Sequence, residues 1–343
     1  MRLFVSGGAG FIGSAFVRRM LEKHHEWSIV CFDKLTYAGN LDNLKAVEED
    51  LRYSFVRGDI CDRAAVEAAI EGAGGVDAIV NFAAETHVDR SIDSPEDFLH
   101  TDILGTHTLL EVVRAGGVSR MVQVSTDEVY GSIDEGSFCE TDRISASSPY
   151  SASKAGGDLQ VLAYHTTYGT PALITRGSNT YGPYQYPEKL IPLFVTNALE
   201  GGQLPLYGDG LNVRDWLYVD DHADGIEAAL VSGRPGEVYN IGGGNERTNR
   251  EITGIILDEL GLDWDTTVRA VADRPGHDRR YSISCAKARA ELGWEPVVDF
   301  EHGLRETIRW YRDNEWWWSK IKHQTAEFAD WRTRWYDGRD QRD

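Results

Sequence analysis

The chain has 343 residues and a formal net charge of −20, because 55 acidic residues oppose 35 basic ones. Hydrophobic residues make up 41% of the chain and aromatic residues 10%, which excludes a disordered or low-complexity protein. The negative charge argues against a nucleic acid or an anionic membrane as the main partner, and no apolar run approaches the roughly 18 residues that cross a bilayer. No secretion signal is visible before the first predicted strand, so the expected location is the cytoplasm.

The first half of the chain alternates short apolar runs with helical periodicity. Strands are predicted at Leu3–Ser6, Ser28–Phe32, Tyr53–Val56, Ala78–Phe82, Met121–Ser125 and Ala172–Arg176. Helices are predicted between them at Phe11–His24, Arg63–Ile70, Pro95–Ala115 and Tyr150–Tyr168. Continuously apolar strands are typical of a parallel sheet that is buried on both faces. The alternation therefore predicts an α/β fold with a Rossmann-type doubly wound parallel sheet.

Beyond residue 176 the pattern becomes irregular and rich in glycine, proline and tyrosine. Further helices are predicted at Leu190–Glu200, Asp220–Leu230, Asn249–Leu260 and Phe300–Asp313. We predict a cofactor domain in residues 1–176, a smaller C-terminal α/β substrate lobe mainly in 177–320, and a tail of unclear role in 321–343. A late strand near residues 237–241 is expected to return to the first sheet.

A glycine-rich segment follows the first predicted strand and opens the first helix. Gly7, Gly10 and Gly13 give the pattern GxxGxxG, and Asp33 ends the second strand 20 residues beyond Gly13. Such glycines permit a tight turn and let the backbone approach a pyrophosphate at a helix N-terminus. A carboxylate at Asp33 accepts hydrogen bonds from a ribose diol and repels a 2′-phosphate. The pattern predicts an NAD+ site, and the alternative is a purely structural turn.

Tyr150 and Lys154 lie four residues apart, on one face of a predicted helix. A nearby ammonium group is expected to lower the pKa of the phenol, which would make Tyr150 a base near neutral pH. The pair follows the fifth strand, where the nicotinamide end of a bound dinucleotide should lie. A surface pair of no function is the alternative for this motif taken alone.

Asp127 and Glu128 stand at the carboxyl end of the fifth strand, the edge at which open α/β sheets bind ligands. Two adjacent carboxyl groups in a cleft can be driven to different pKa values, leaving one as an acid and one as a base. The alternative is a solvated acidic turn. A dehydratase needs both groups besides the tyrosine, whereas a simple dehydrogenase or epimerase does not.

These motifs together resemble the extended, nucleotide-sugar-modifying branch of the short-chain dehydrogenase/reductase superfamily. Within that branch the chain resembles the dTDP-glucose 4,6-dehydratase family. The matching segments, in family order, are Gly7–Ser14, Phe32–Asn40, Asn81–Ile92, Ser125–Gly131, Pro149–Gly157, Ser178–Leu193, Leu204–Asp221, Tyr239–Asn249 and Asp273–Tyr281.

The resemblance implies an NAD-dependent hydro-lyase that converts dTDP-glucose to dTDP-4-keto-6-deoxyglucose and water. Tyr150, assisted by Lys154, would take the proton of the 4-hydroxyl while C4 gives a hydride to NAD+, and Thr126 would hold the 4-oxygen. Glu128 would then remove the C5 proton, Asp127 would protonate the departing 6-hydroxyl, and the hydride would return to C6. NAD+ is regenerated in each turnover, which favours its tight retention.

The resemblance also implies the binding residues. Besides the three motif glycines, cofactor contacts are expected at Phe11, Ile12, Asp33, Lys34, Leu35, Thr36, Asp59, Ile60, Ala83, Ala84, Thr101, Tyr150 and Lys154. Substrate contacts are expected at His87, Thr126, Asn179, Lys189, Leu190, Tyr207, Arg214, Asn249, Arg274 and His277. Lys189, Arg214 and Arg274 are cations suited to a diphosphate, although each alone is equally compatible with a surface ion pair.

A homodimer is implied as well, through the helices near Pro95–Ala115 and Tyr150–Tyr168. No metal site is expected, because the four scattered cysteines form no CxxC pair. Two alternatives remain open: another dehydratase, epimerase or decarboxylase of the same branch, and a non-catalytic NAD-binding protein. The carboxylate pair argues against an epimerase, and the intact set of catalytic side chains argues against a non-catalytic protein.

Tryptophan is concentrated near the end of the chain. The positions are Trp310, Trp316, Trp317, Trp318, Trp331 and Trp335. These rings are expected to pack the last helix onto the smaller lobe, and the alternative is a platform on which carbohydrate stacks. Residues 324–343 lie beyond the family resemblance, and the sequence assigns them no role.

The charge also has an unusual make-up, with 8 lysines against 27 arginines. We favour the hypothesis of a high-salt cytoplasm, where a Debye length of about 3 Å at 1 M salt screens self-repulsion. The alternative is an ordinary acidic protein from an arginine-rich proteome. Circular dichroism across a KCl series separates the two, because full structure and activity without salt would contradict the first.

Overall fold

The computed structural model describes residues 1–273, 278–325 and Phe328. Its strands are β1 (Arg2–Ser6), β2 (Ser28–Asp33), β3 (Tyr53–Arg57), β4 (Ala78–Asn81), β5 (Arg120–Thr126), β6 (Ala172–Gly177), β7 (Asn179–Tyr181), β8 (Leu204–Tyr207), β9 (Val213–Tyr218), β10 (Val238–Ile241), β11 (Glu246–Thr248) and β12 (Val268–Val271). Its α-helices are α1 (Phe11–Lys23), α2 (Arg63–Gly72), α3 (Val88–Asp93), α4 (Pro95–Phe98), α5 (Thr106–Ala115), α6 (Pro149–Tyr168), α7 (Leu190–Leu199), α8 (Val219–Ser232), α9 (Asn249–Leu260), α10 (Trp264–Thr267), α11 (Phe300–Asp313) and α12 (Glu315–Gln324). Short 3₁₀ segments lie at Leu41–Val47 and Asp127–Tyr130, and π-helical segments lie at Leu99–Gly105 and Ala288–Leu292.

Seven parallel strands form the main sheet, in the order β3-β2-β1-β4-β5-β6-β10. The expected Rossmann-type fold is confirmed. The late strand β10 pairs with β6 and so returns the chain to this sheet. The strand order reverses between β1 and β4, and ligands of open α/β sheets bind in the crevice at such a point.

Neighbouring residues of the strands point to opposite faces of the sheet, and both faces are buried. On β1, Leu3 and Val5 pack with Phe16 of α1 on one face. Phe4 lies between them and packs with Leu109 of α5 on the other face. The continuous apolar runs arise from this burial on both sides.

The helix predicted at Pro95–Ala115 contains a π-helical segment at Leu99–Gly105 between α4 and α5. Gly105 ends this segment in close contact with Ile60, because a Cβ atom on Gly105 would come within 2.4 Å of Ile60 Cδ1. Asp102, in the same segment, is buried with its carboxylate against Ser153 of α6. Irregular turns of this kind often occur at functional sites.

The smaller lobe has its own core, built from α7, α9, α11 and α12. It carries a three-stranded sheet in the order β11-β9-β7 and a parallel pair, β8 and β12. Trp317 and Trp318 are buried in this core and Trp310 packs against it, which confirms the packing expected for them. Trp316 is 48% exposed, and Trp331 and Trp335 lie outside the described residues.

Within the described ranges, no helix is both long and apolar enough to cross a membrane. The same residues contain no cluster of His, Cys, Asp and Glu that could hold a metal ion. The four cysteines are unpaired, and Cys31 among them is buried.

Candidate active site

A long cavity runs along the carboxyl ends of β1, β2, β4 and β5. Its lining includes most of the predicted cofactor residues: Gly7, Gly10, Phe11, Ile12, Gly13, Asp33, Lys34, Thr36, Asp59, Ile60, Ala83, Ala84, Thr101, Tyr150 and Lys154. Leu35 is not part of this lining, and its backbone N–H donates to Asp33 Oδ1 at 2.8 Å. We refer to this space as the cofactor cavity.

The glycine-rich loop borders this cavity, and two of its glycines stand where a side chain would have no room. Gly7 has a φ of 69°, and a Cβ atom on it would lie 2.4 Å from the backbone nitrogen of Ala83. A Cβ atom on Gly13 would lie 2.3 Å from the carbonyl oxygen of Gly7. The first turn of α1 therefore presents its backbone N–H groups to the cavity, as a diphosphate requires.

Asp33 is the last residue of β2, and its carboxylate contacts the glycine-rich loop. The side chain is 8% exposed, and its two oxygens accept from the backbone N–H groups of Leu35 and Ala9 at 2.8 and 3.0 Å. Burial raises the pKa of Asp33, while these two donors oppose the rise. The arrangement suits a ribose diol and disfavours a 2′-phosphate.

Replacing Asp33 by asparagine should relax the choice of dinucleotide. The change keeps the shape of the side chain and removes the charge that repels a 2′-phosphate. We expect affinity for NAD+ to fall about tenfold and the preference for NAD+ over NADP+ to shrink. Titration calorimetry with both dinucleotides measures this, with the unliganded unfolding temperature as the control for folding. An unchanged preference would remove Asp33 from this role.

A second cavity, here the substrate cavity, opens between the main sheet and the smaller lobe. Seven predicted substrate residues line it: His87, Asn179, Lys189, Leu190, Tyr207, Arg214 and Asn249. Glu128 and Tyr150 also line it, whereas Thr126 lies just outside the lining. Arg274 and His277 lie outside the described residues.

Tyr150 and Lys189 line both cavities, so the two spaces meet at these side chains. Tyr150 is held at the start of α6, where Ser148 and Ser151 form a capping box around the first turn. Lys154 follows one turn later, and its Nζ atom donates to the carbonyl oxygen of Val124 at 3.0 Å. A group transferred between cofactor and substrate would pass at Tyr150.

The sequence predicts a lowered pKa for Tyr150 because of Lys154, and this expectation is wrong. The pKa of Tyr150 is raised well above its usual 10.0, chiefly because burial disfavours the phenolate. Glu128 and Asp102 raise it further, since a negative phenolate is repelled by carboxylates. The sequence indicated both Lys154 and Glu128 at the site, but it gave no measure of the burial of Tyr150 and no sign that Asp102 lies near it.

Asp127 and Glu128 leave the end of β5 in different surroundings. Asp127 is 3% exposed; its Oδ1 atom accepts from the hydroxyl of Thr126 at 3.3 Å, and within the described residues Oδ2 receives no hydrogen bond. Burial, together with Glu128 and Asp215, raises the pKa of Asp127 well above its usual value. Glu128 is half-buried and faces the substrate cavity. One carboxyl group is thus set up to hold a proton beside a second that lines the cavity.

Two of the predicted diphosphate cations are fixed in place by oxygen acceptors. Arg214 is buried, and its guanidinium donates to the carbonyl oxygens of Val213 and Asp278 at 2.7 and 2.9 Å. Lys189 donates to the hydroxyl of Thr86 at 3.2 Å. These cations lie in the substrate cavity rather than in exposed ion pairs, which suits an anionic ligand.

His87 enters the substrate cavity from a strained position. Its φ of 87° places a non-glycine residue in a sparsely populated region, directly before α3. The side chain is buried, with Nδ1 3.8 Å from the carboxylate of Asp89. Backbone strain of this kind is found where a side chain is held for a function.

Comparison with known proteins agrees with this geometry. The family described as GDP-mannose 4,6 dehydratase matches residues 4–307. A dTDP-glucose 4,6-dehydratase from Streptomyces antibioticus is 54% identical over 331 residues, which cover 95% of this chain and 97% of that protein. The chain belongs to the dTDP-glucose 4,6-dehydratase family.

Solved structures agree with this family membership. The dTDP-glucose 4,6-dehydratase DesIV from Streptomyces venezuelae, solved with NAD bound, superposes with a TM-score of 0.91 at 56% identity, covering 94% of this chain and all of that one. The UDP-glucose 4-epimerase from Thermotoga maritima superposes with a TM-score of 0.84 at 29% identity, covering 92% of this chain and 100% of that chain. The fold is thus shared across the branch, and the site side chains must distinguish the activities.

Some residues that shape this site lie within the matching segments but received no role in the sequence analysis. Glu188 is 2% exposed and lines the substrate cavity. It accepts from Arg90 Nε at 3.0 Å and from the hydroxyl of Tyr37 at 3.2 Å, while the Arg90 guanidinium lies over the Tyr37 ring. The three residues come from distant parts of the sequence, so no local spacing signals their contact.

Proposed function

We propose that this protein converts dTDP-glucose to dTDP-4-keto-6-deoxyglucose and water, with NAD+ as a cofactor that each turnover regenerates. The observation that carries the proposal is the buried Asp127 beside Glu128, with Tyr150 at the junction of the two cavities. The identity to relatives named for this activity, 54% over nearly the whole length, supports it further.

Oxidation at C4 begins the reaction. NAD+ bound in the cofactor cavity would supply the acceptor for the C4 hydride and the donor that returns it to C6, and Tyr150 would stand beside it where the two cavities meet. Tyr150 then takes the proton of the sugar's 4-hydroxyl. Lys154, whose Nζ atom is held by the carbonyl oxygen of Val124, would assist Tyr150 from the next turn of α6, and Thr126 would hydrogen-bond the 4-oxygen.

Elimination of water follows, because a ketone at C4 acidifies the C5 proton. Glu128 removes that proton, and Asp127 donates its own proton to the 6-hydroxyl, which leaves as water. Burial beside Glu128 raises the pKa of Asp127 and so favours its protonated form, which is the form this step requires. The hydride that left C4 would then add at C6 while Glu128 returns a proton to C5, so the net change is the loss of one water molecule.

The cofactor domain and the smaller lobe are proposed to bind different ligands. Residues 1–176, with β10, would hold the cofactor, and residues 177–320 would hold most of the nucleotide sugar. Lys189 and Arg214 would pair with the diphosphate, and Arg274 and His277 stay predictions for the same ligand. We also place the enzyme in the cytoplasm, where its unpaired cysteines would stay reduced.

An epimerase is the second candidate, because a UDP-glucose 4-epimerase shares the fold. Epimerisation moves a hydride at C4 and needs no acid for a departing 6-hydroxyl. A buried carboxyl group with a raised pKa beside a second carboxyl group is costly and would have no task in that reaction. The carboxyl pair therefore favours the dehydratase.

The activity is tested by incubating the purified protein with dTDP-glucose and no added NAD+. Mass spectrometry should show a sugar nucleotide lighter than the substrate by one water molecule. UDP-glucose and GDP-mannose in parallel reactions serve as controls for the base and the sugar. Conversion of dTDP-glucose to an isomer of equal mass would support the epimerase instead.

A homodimer is part of the proposal, and exposed apolar side chains support it. Leu99 and Leu104 of the π-helical segment are 53% and 44% exposed, and Leu159 of the neighbouring helix α6 is 56% exposed. Apolar side chains grouped on adjacent helices favour burial against a second copy.

Replacing Leu159 by glutamate should therefore disrupt the dimer, since it would bury a charge in the apolar interface. We expect the mass in light scattering to fall from twice 38.3 kDa toward that of a single chain. The control is Val297→Glu, because Val297 is 79% exposed and lies far from these helices in the chain. An L159E variant that keeps the parent's dimeric mass would contradict this interface.

A further inference from the structure

The last described helix reaches the cofactor cavity, although its side chains belong to the core of the smaller lobe. Trp317 of α12 is 1% exposed and makes edge contacts with Tyr184 and Trp310, with ring centroids 5.7 and 5.4 Å away. The same indole lines the cofactor cavity beside Asn43. The motifs of the cofactor domain give no hint of a residue so far along the chain.

Hydrogen bonds connect Trp317 to the glycine-rich loop. The indole Nε1–H donates to Asn43 Oδ1 at 2.9 Å, and Asn43 Nδ2 donates to the carbonyl oxygen of Ala9 at 2.9 Å. The backbone N–H of Ala9 donates in turn to Asp33 Oδ2 at 3.0 Å. An indole can only donate and a carbonyl can only accept, so one orientation of the Asn43 amide satisfies both partners.

Other contacts hold the segment that carries Asn43. Asn43 is 2% exposed, and its own carbonyl oxygen accepts from the guanidinium of Arg18 in α1. The backbone N–H of Asn40 donates to the same Ala9 oxygen at 3.0 Å. On the outer side, Lys320 of α12 pairs with Asp42 at 2.7 Å. Asn43 is thus a fixed link between α12 and the loop.

We propose that Trp317 and Asn43 are positioning residues for the cofactor, which hold the glycine-rich loop and Asp33 in the arrangement that retains NAD+. The inference rests on the proposed function, in which NAD+ stays bound through successive turnovers. Without the indole donor, the Asn43 amide is free to rotate and its hydrogen bond to Ala9 weakens. The loop and the Asp33 carboxylate then lose a support that originates in the smaller lobe.

The neighbouring tryptophan provides a matched control. Trp318 is 2% exposed, lies on the same helix and donates its indole N–H to the carbonyl oxygen of Tyr311 at 2.7 Å. Trp317→Phe and Trp318→Phe each remove one buried indole hydrogen bond and keep an aromatic ring. Only the hydrogen bond of Trp317 joins the smaller lobe to the cofactor domain. If both tryptophans had a purely structural role, the two variants would release NAD+ at the same rate.

The test measures how fast holoenzyme loses its cofactor. Protein saturated with NAD+ is diluted and filtered at intervals, and the NAD+ that stays with the protein is quantified by chromatography. We expect W317F to release NAD+ about three- to tenfold faster than the parent and W318F to release it within twofold of the parent. With NAD+ saturating, W317F should keep the parent's KM for dTDP-glucose.

Equal release rates for W317F and W318F would overturn the inference and leave the dehydratase activity standing. Asn43→Ala tests the same link if W317F does not fold, because it removes the acceptor of the indole and the donor to Ala9 together. We expect N43A to release NAD+ at least as fast as W317F. The double variant, which carries both Trp317→Phe and Asn43→Ala, should release NAD+ no faster than N43A alone. If the effects of the two changes on the release rate add in the double variant, Trp317 and Asn43 do not act through one link, and the inference is contradicted. A parent protein that retains no NAD+ would instead count against the proposed function.

Discussion

Glu128→Gln should stop the reaction after oxidation at C4, lowering kcat for the dehydrated product by about 10²- to 10⁴-fold. The amide cannot remove the C5 proton, whereas Tyr150 and Lys154 remain in place to assist the first step. Stopped-flow absorbance should therefore show reduced nicotinamide building up on the enzyme. The side chain faces the substrate cavity and is similar in size to glutamine, so folding should not change.

Glu135→Gln is the matched control, since Glu135 is an exposed carboxylate a few residues along the same segment. It should keep the parent's kcat. Undiminished turnover in E128Q would remove Glu128 from its assigned role. Loss of both the oxidised sugar and the product would instead assign Glu128 to the first step.

Tyr150→Phe should block the first step, and with it every later one. The variant lacks the only group in the described part of the chain that lines both cavities and can take the 4-hydroxyl proton. We expect kcat to fall by about 10²- to 10⁴-fold, with no build-up of reduced nicotinamide in the same stopped-flow experiment. NAD+ should remain bound, because the change leaves the other residues that line the cofactor cavity in place.

The control for this change is Tyr168→Phe, at the other end of α6 and 57% exposed. It should leave turnover unchanged. Reduced nicotinamide in Y150F at the level of the parent would show that another group takes the proton. The two active-site variants together thus assign the order of oxidation and elimination to specific residues.

Periodicity predicted the main sheet well, for a physical reason. The predicted strands Leu3–Ser6 and Ala78–Phe82 are mostly apolar because helices cover both faces of the sheet, so their signal is local. The π-helical segment at Leu99–Gly105 could not be predicted in this way. Gly105 of this segment closely approaches Ile60, a contact between distant parts of the chain that local periodicity does not show.

The residues of the site also fall into two groups, those that local motifs predict and those that depend on contacts between distant parts of the chain. Gly7, Asp33 and Tyr150 belong to local motifs, and the structure places them along one cavity. Glu188 and Trp317 come from outside those motifs, and their partners Arg90 and Asn43 are distant in sequence. The pKa of Tyr150 was predicted in the wrong direction because spacing shows the nearest lysine but gives no measure of burial or of nearby carboxylates.

The net charge of −20 has little bearing on this chemistry, because the proposed substrate is itself an anionic diphosphate. Such a ligand needs a local group of cations within a negative surface. Lys189 and Arg214 of the smaller lobe, which both line the substrate cavity, are proposed to supply that group. The high-salt hypothesis for the overall acidity stays a prediction.

The path of one hydrogen atom tests the central claim most directly. The purified protein is incubated with dTDP-[4-²H]glucose, without added NAD+ and in high salt, and the product is examined by NMR and mass spectrometry. Intramolecular return of the hydride predicts a 4-keto-6-deoxy product that carries deuterium at C6. Deuterium retained at C4, with no keto product formed, would contradict the account.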